Sequence, residues 1–108
     1  MSNDLILALD YGGSKLSAAL VQRGATTWAD LRRLPSPPGH DAHYDQTTML
    51  RLAHELLGDR RPAAIGVSFG GPVLQSQGVV ILSHHIPGWE NTPLAAQLEA
   101  EFGARAAV

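Results

Sequence analysis

The chain has 108 residues, 44% of them apolar and 17% charged, which suits one small folded domain. Its formal net charge of −2 gives no footprint for nucleic acid or for an anionic membrane surface. It has no cysteine, which excludes a disulfide framework and a thiolate metal site.

No apolar run approaches the ~20 residues needed to cross a bilayer. The N-terminus, Met1 to Asp4, lacks a basic region, and the apolar run behind it is interrupted by Asp10. No signal peptide is read there, and the expectation is a cytoplasmic protein.

In chain order, residues 5–11 and 16–22 are apolar runs bounded by turn residues, and both read as strands. The turn between them is Gly12, Gly13 and Ser14. Residues 25–34 read as a third, more polar strand towards a sheet edge, joined to the second by a tight hairpin at Gly24. The breakers from Pro35 to Gly39 make a loop.

Asp45 is expected to cap a helix whose buried face is Met49, Leu52, Ala53, Leu56 and Leu57, with Gly58 at a left-handed C-terminal position. Residues 63–69 read as a buried strand ended by Gly70, Gly71 and Pro72, and residues 78–82 as a further short strand. Thr92 is expected to cap a second helix with Pro93 at its first position, Leu94, Leu98 and Phe102 on its apolar face, and Gly103 at its end. Residues 104–108 begin another strand. The pattern βββαβ(β)αβ predicts an α/β fold. Its mixed β-sheet has flanking helices, with an antiparallel third strand and later strands added parallel through helical crossovers.

The candidate chemistry begins at Asp10. A carboxylate at a strand end can hold Mg²⁺ directly or through water. The glycines after it bring exposed backbone N–H groups that can cradle a phosphate. Ser14 adds a hydroxyl, and Lys15, the only lysine in the chain, adds a cation. Gly70, Gly71 and Pro72 end a strand, where open α/β sheets place ligands. His84 and His85 read as loop histidines. His40, His43 and Asp45 sketch a metal site, but in a breaker-rich loop without the supporting partners that such sites need. Trp89 reads as an anchor of its loop to the core.

The order and spacing of three segments resemble the ROK family of sugar kinases and sugar-responsive repressors, in the actin-like, ribonuclease-H-like ATPase superfamily. The segments are Leu9 to Lys15, Ala64 to Val73 and Gly78 to Asn91. In that family the first motif is typically Asp-x-Gly-Gly-Thr-Lys, with Ser14 here in place of the threonine. The Pro-Gly-Pro-Val turn becomes Gly70, Gly71, Pro72 and Val73. The Asn-x-x-Gly-Trp segment becomes His85 to Trp89, with His85 standing for the asparagine.

The resemblance implies that Asp10, Gly12, Gly13, Ser14 and Lys15 bind the phosphates of ATP, with Asp10 linked indirectly to Mg²⁺. It implies that Gly70, Gly71 and His85 line a sugar site, and that Asn91 either contacts sugar hydroxyls or assists the helix cap. The implied reaction is phosphoryl transfer from ATP to a hexose or N-acetylhexosamine hydroxyl. The alternatives are a sugar-responsive transcriptional regulator and a non-catalytic fragment.

The family's catalytic aspartate follows the strand begun at Ala104, beyond Val108. Residues 1–108 are therefore expected to be a single N-terminal lobe, inactive alone. Its exposed sheet edge and its face for a second lobe predict a homodimer or other self-association.

Overall fold

The computed structural model describes residues 4–108. The reading of Met1 to Asn3 lies outside them. Seven strands and two helices follow in the order β1 Leu5–Tyr11, β2 Lys15–Gln22, β3 Asp30–Pro35, α1 Ala42–Leu57, β4 Ala64–Phe69, β5 Val73–Leu74, β6 Val79–Val80, α2 Leu94–Phe102 and β7 Arg105–Ala107.

Five strands form one mixed sheet in the order β3-β2-β1-β4-β7, with β3 at an edge as expected. The pairs β1–β2 and β2–β3 are antiparallel, while β1–β4 and β4–β7 are parallel. This is the predicted α/β architecture.

Alternation along β1 sorts its side chains between two faces. Leu5, Leu7, Leu9 and Tyr11 are buried under the helices. They share one core with Leu16, Ala18 and Leu20 of β2, with Met49, Leu52, Ala53, Leu56 and Leu57 of α1, and with Leu94, Leu98 and Phe102 of α2. The apolar spacing read in both helices is thus their buried face. Ile6, Ala8 and Asp10 project to the opposite face, which neither helix covers. An open groove of about 500 Å³ runs across it, lined mainly by small and apolar groups, including Ala8, Ala19, Gly66 and Trp28.

Several boundaries differ from the sequence reading. The third strand begins at Asp30, and residues 23–29 form a loop. The chain turns at Gly24 (φ 82°) and returns only when the Ala29 N–H reaches the Leu20 carbonyl at 2.7 Å. Trp28 in this loop is 53% exposed, so its strand propensity is not used.

Helix α1 starts four residues earlier than expected. Asp41 is its N-cap and accepts from the Tyr44 N–H at 2.8 Å. Residues 78–82 contribute only Val79–Val80, which pair with Val73–Leu74 in a separate two-stranded ribbon.

Thr92 does not cap α2. Its hydroxyl donates to the Trp89 carbonyl at 2.8 Å, and Pro93 occupies the cap position with no side-chain cap bond. The glycine stops are as expected in place. Gly103 is left-handed, and Gly58 has φ 59° but ψ −124°, outside the left-handed helical region.

Candidate functional site

The three singled-out segments meet at the carboxyl ends of the neighbouring parallel strands β1 and β4. An aromatic cluster pins them there. Trp89 is fully buried and meets Tyr11 edge-on at 5.5 Å and Phe69 at 4.7 Å, while Tyr11 and Phe69 are 6.2 Å apart. Tyr11 lies just before Gly12, Phe69 just before Gly70, and Trp89 four residues after His85. Each ring therefore fixes one loop by burying its apolar body at favourable ring geometry. Trp89 is the loop anchor that its sequence position suggested. Burial, and secondarily the nearby Asp45 carboxylate, push the Tyr11 hydroxyl up from its ordinary value.

The first loop is a tight reversal between β1 and β2. The Gly12 N–H donates to the Lys15 carbonyl at 3.1 Å, and a Cβ on Gly12 would stand 2.9 Å from that oxygen. Only glycine fits there without moving the backbone. A Cβ on Gly13 would meet nothing within 4 Å, and Gly13, Ser14 and Lys15 are exposed.

Asp10 stands on the open face in register with Ser17 and Ser68. Arg33, in register with Ser17, donates from Nε to its hydroxyl at 3.1 Å. A polar row of Arg33, Ser17, Asp10 and Ser68 thus crosses four strands. Among the described residues, neither the Asp10 carboxylate nor the Lys15 ammonium takes part in an ion pair. No group of three or more metal-ligating side chains occurs among them either.

The second loop is coupled to the first through backbone. The Gly70 N–H donates to the Tyr11 carbonyl at 3.2 Å. A Cβ on Gly71 would lie 2.8 Å from the Leu82 carbonyl oxygen and 3.1 Å from the Phe69 ring, so this turn is seated against residues 81–82. The Ile81 N–H donates to the Pro72 carbonyl at 3.0 Å and closes the same contact. His84 and His85 are exposed on the third loop. Asn91 is exposed with φ 53°, a conformation that Asn tolerates better than most residues. Its N–H donates to the Ile81 carbonyl at 2.9 Å, and it does not cap α2.

His40 and Asp45, which the sequence suggested as part of a sketched metal site and as a helix cap, form a pair instead. Asp45 is not a helix cap but a buried carboxylate, 1% exposed. His40 Nδ1 lies 2.8 Å from its Oδ1, and His40 Nε2 lies 3.0 Å from the Gly13 carbonyl oxygen. Burial pushes the Asp45 carboxyl up from its ordinary value. The hydrogen bond and charge of His40 and the Trp89 indole pull it down, and Asp41 pushes it up. Asp45 Oδ2 and Trp89 Nε1 are both buried and close no hydrogen bond of good geometry. The sequence signal was an Asp five residues after a His across a helix start, the same pair that had sketched a metal site.

No protein-family profile matches the chain, and no curated protein is similar to it. Solved structures are. A ROK family glucokinase from Streptomyces griseus, in complex with glucose and AMPPNP, superposes with a TM-score of 0.74 at 22% identity, covering 96% of this chain and 32% of its own. The ROK hexokinase of Thermus thermophilus gives 0.75 at 24% identity, covering 94% and 33%. A ROK family transcriptional regulator, a homologue of the E. coli MLC protein, gives 0.81 at 19% identity, covering 96% and 27%. The chain therefore spans between about a quarter and a third of the length of these proteins, and over that part it has their fold.

Proposed function

We propose that the chain is the N-terminal lobe of a ROK-type protein that transfers a phosphoryl group from ATP to a hexose or hexosamine hydroxyl. The observation that carries this reading is the convergence of Gly12–Lys15, Gly70–Pro72 and the His85-to-Trp89 loop at one end of β1 and β4, pinned by Tyr11, Phe69 and Trp89. Its likeness to ROK kinases over nearly the whole chain supports it.

Catalysis in such transfers is mainly positioning and charge neutralisation around the phosphates. In this reading the backbone N–H groups of Gly13 and Ser14, the Ser14 hydroxyl and the Lys15 ammonium face the nucleotide phosphates. Asp10, exposed at the end of β1 without an ion-pair partner, holds Mg²⁺ through water. A single carboxylate suits this ion, which keeps most of its waters and takes its other ligands from phosphate. Bound there, Mg²⁺ supplies charge neutralisation at the phosphates.

Gly71 lets the turn seat closely against the Leu82 carbonyl and the Phe69 ring, which sets the position of the sugar-side rim. His85 donates and accepts with the sugar's hydroxyls, and Gly70 and Asn91 complete the rim. No carboxylate among these residues takes the proton of the attacking hydroxyl. That role falls, by the resemblance, to an aspartate outside residues 1–108. The open face and the three-residue edge strand β7 serve as the surface for a second lobe or a second copy.

A coupled ATP-to-ADP assay tests this. It uses a panel of hexoses and N-acetylhexosamines, on this chain and on the whole reading frame that contains it. Sugar-dependent turnover in the longer form alone is the expected result. Silence in a folded longer form contradicts it.

The regulator reading has its own observation. The ROK transcriptional regulator superposes at 0.81, at least as well as the two kinases above. Sugar-releasable binding of operator DNA by the whole reading frame would favour it.

A further inference from the structure

We propose that His40 is the positioning residue of the Gly12–Lys15 turn, holding the Gly13 carbonyl through its Nε2–H while the buried Asp45 holds the ring. This deepens the reading of that turn as a phosphate loop and rests on it for its functional consequence.

The chemistry fixes the proton arrangement. The Gly13 carbonyl oxygen can only accept, so at 3.0 Å His40 Nε2 must carry a proton. Nδ1 and Asp45 Oδ1, 2.8 Å apart, must share one proton, because without it two lone pairs would oppose each other. Asp45 thus selects the ring orientation that the turn requires.

Asp45 itself is held rigidly. It is buried in the first turn of α1, and its N–H donates to the Asp41 carbonyl at 3.0 Å. The His40 ring is nearly buried as well, 9% exposed, and lies edge-on to Tyr44 at 6.3 Å.

Two further bonds close the same turn. The Ser36 N–H donates to the Ser14 carbonyl at 2.9 Å, and the Gly12 N–H to the Lys15 carbonyl at 3.1 Å. With the carbonyls of Gly13, Ser14 and Lys15 all engaged on the protein side, the peptide planes of the turn cannot rotate. Its outward N–H groups stay available for an anion. The groups acting on the pair from around it are Tyr11 of β1, Trp89 of the third loop and Asp41 at the helix cap. None of these reaches the Gly13 carbonyl.

The test uses the 108-residue chain and three variants: His40→Phe, Asp45→Asn and the double variant H40F/D45L. Phe keeps the ring's bulk and its place beside Tyr44 but removes both nitrogens. Asn at position 45 can donate to Nδ1 and so preserve the Nε2–H form. The double variant removes both polar partners together, leaving no buried carboxylate unpaired.

Three readouts are taken: the ¹⁵N signature of the His40 ring, hydrogen exchange at the Gly12 and Ser36 amides, and calorimetric affinity for Mg-tripolyphosphate. A protonated, hydrogen-bonded Nε2 is expected in the wild type. His40→Phe and H40F/D45L speed exchange at Gly12 and Ser36 about tenfold, the size expected for losing one such bond. Amides in the middle of α1 stay unchanged. Tripolyphosphate affinity falls about tenfold in the same two variants, and Asp45→Asn behaves as wild type.

An unprotonated Nε2, unchanged exchange in the folded double variant, or an Asp45→Asn protein that matches His40→Phe would each overturn the proposal. If the wild type binds no tripolyphosphate, the phosphate reading fails, and the exchange comparison still decides the positioning role.

Discussion

The two glycines of the first turn should respond oppositely to the same small change. In Gly12→Ala the new Cβ would stand 2.9 Å from the Lys15 carbonyl oxygen, closer than a Cβ normally approaches an oxygen. That oxygen cannot retreat freely, because it accepts the Gly12 N–H at 3.1 Å. Forcing an extra carbon into a filled space costs about 1–3 kcal/mol. Losing one neutral hydrogen bond adds about 1 kcal/mol. Reduced freedom of the unfolded chain returns about 0.4–1 kcal/mol. A net loss of about 2 kcal/mol is expected for Gly12→Ala, a large fraction of a total stability of about 5–15 kcal/mol.

In Gly13→Ala the Cβ meets nothing within 4 Å, and this glycine is not in the positive-φ region, so only the unfolded-state term remains. Gly13→Ala should therefore be neutral or more stable by up to about 1 kcal/mol. Its methyl would nevertheless stand on the exposed side of the turn and weaken phosphate binding. Urea unfolding followed through the fluorescence of buried Trp89, with slopes compared to confirm equal exposure on unfolding, checks the stability difference. Equal destabilisation by the two variants would refute the geometry of the turn.

Further outcomes follow from other parts of the structure. Trp89→Ala removes the ring that touches both Tyr11 and Phe69 and should cost about 3–5 kcal/mol in urea unfolding followed by far-UV circular dichroism, since the fluorescent ring itself is gone. Gly78→Ala should be severe as well, since its Cβ would fall 2.3 Å from the Ala95 Cβ at a residue with φ 66°. A cost above about 3 kcal/mol, read as a lowered melting temperature, is expected because overpacking and backbone strain add. Asp45 has its carboxyl raised above 3.8 by burial, so the folded chain binds more protons than the unfolded one. Stability then declines as pH rises from about 3.8 through the raised folded value and levels off above it. Asp45→Asn should flatten that decline in unfolding curves measured across pH. Sedimentation at high concentration should show dimers formed through the uncovered face or the β7 edge, and Ala8→Glu on that face should reduce them. A clean monomer would count against the self-association.

Local pattern carried much of the fold because each signal had one reading. The spacing of Met49, Leu52, Ala53, Leu56 and Leu57 admits only one helix face, and Gly58 and Gly103 stop helices where they were expected to. The alternation in β1 fixed which residues face the core. The pattern was ambiguous where a residue type serves two purposes. Asp41 and Asp45 both suit a helix cap, and burial, a property of the tertiary fold, decides that Asp41 caps while Asp45 pairs with His40.

Thr26, Thr27 and Trp28 favour strand, yet a positive-φ Gly24 and the Ala29–Leu20 hydrogen bond keep them in a loop. Val79 to Leu82 read as a sheet strand, but only Val79 and Val80 find a strand partner. At the candidate site, Asp10 and the two Gly-Gly pairs were visible as motifs. The aromatic contacts that gather them were not, because Tyr11, Phe69 and Trp89 meet only through the sheet register and the loop path.

The most direct test of the central claim is amide chemical-shift mapping on this chain, with MgATP and glucose added separately. MgATP should move Gly12, Gly13, Ser14 and Lys15, and glucose should move Gly70, Gly71, His85 and Asn91, with Asp10→Asn weakening the first response and sparing the second. Shifts scattered over the open face of the sheet, or none at the first turn at millimolar MgATP, would contradict the account.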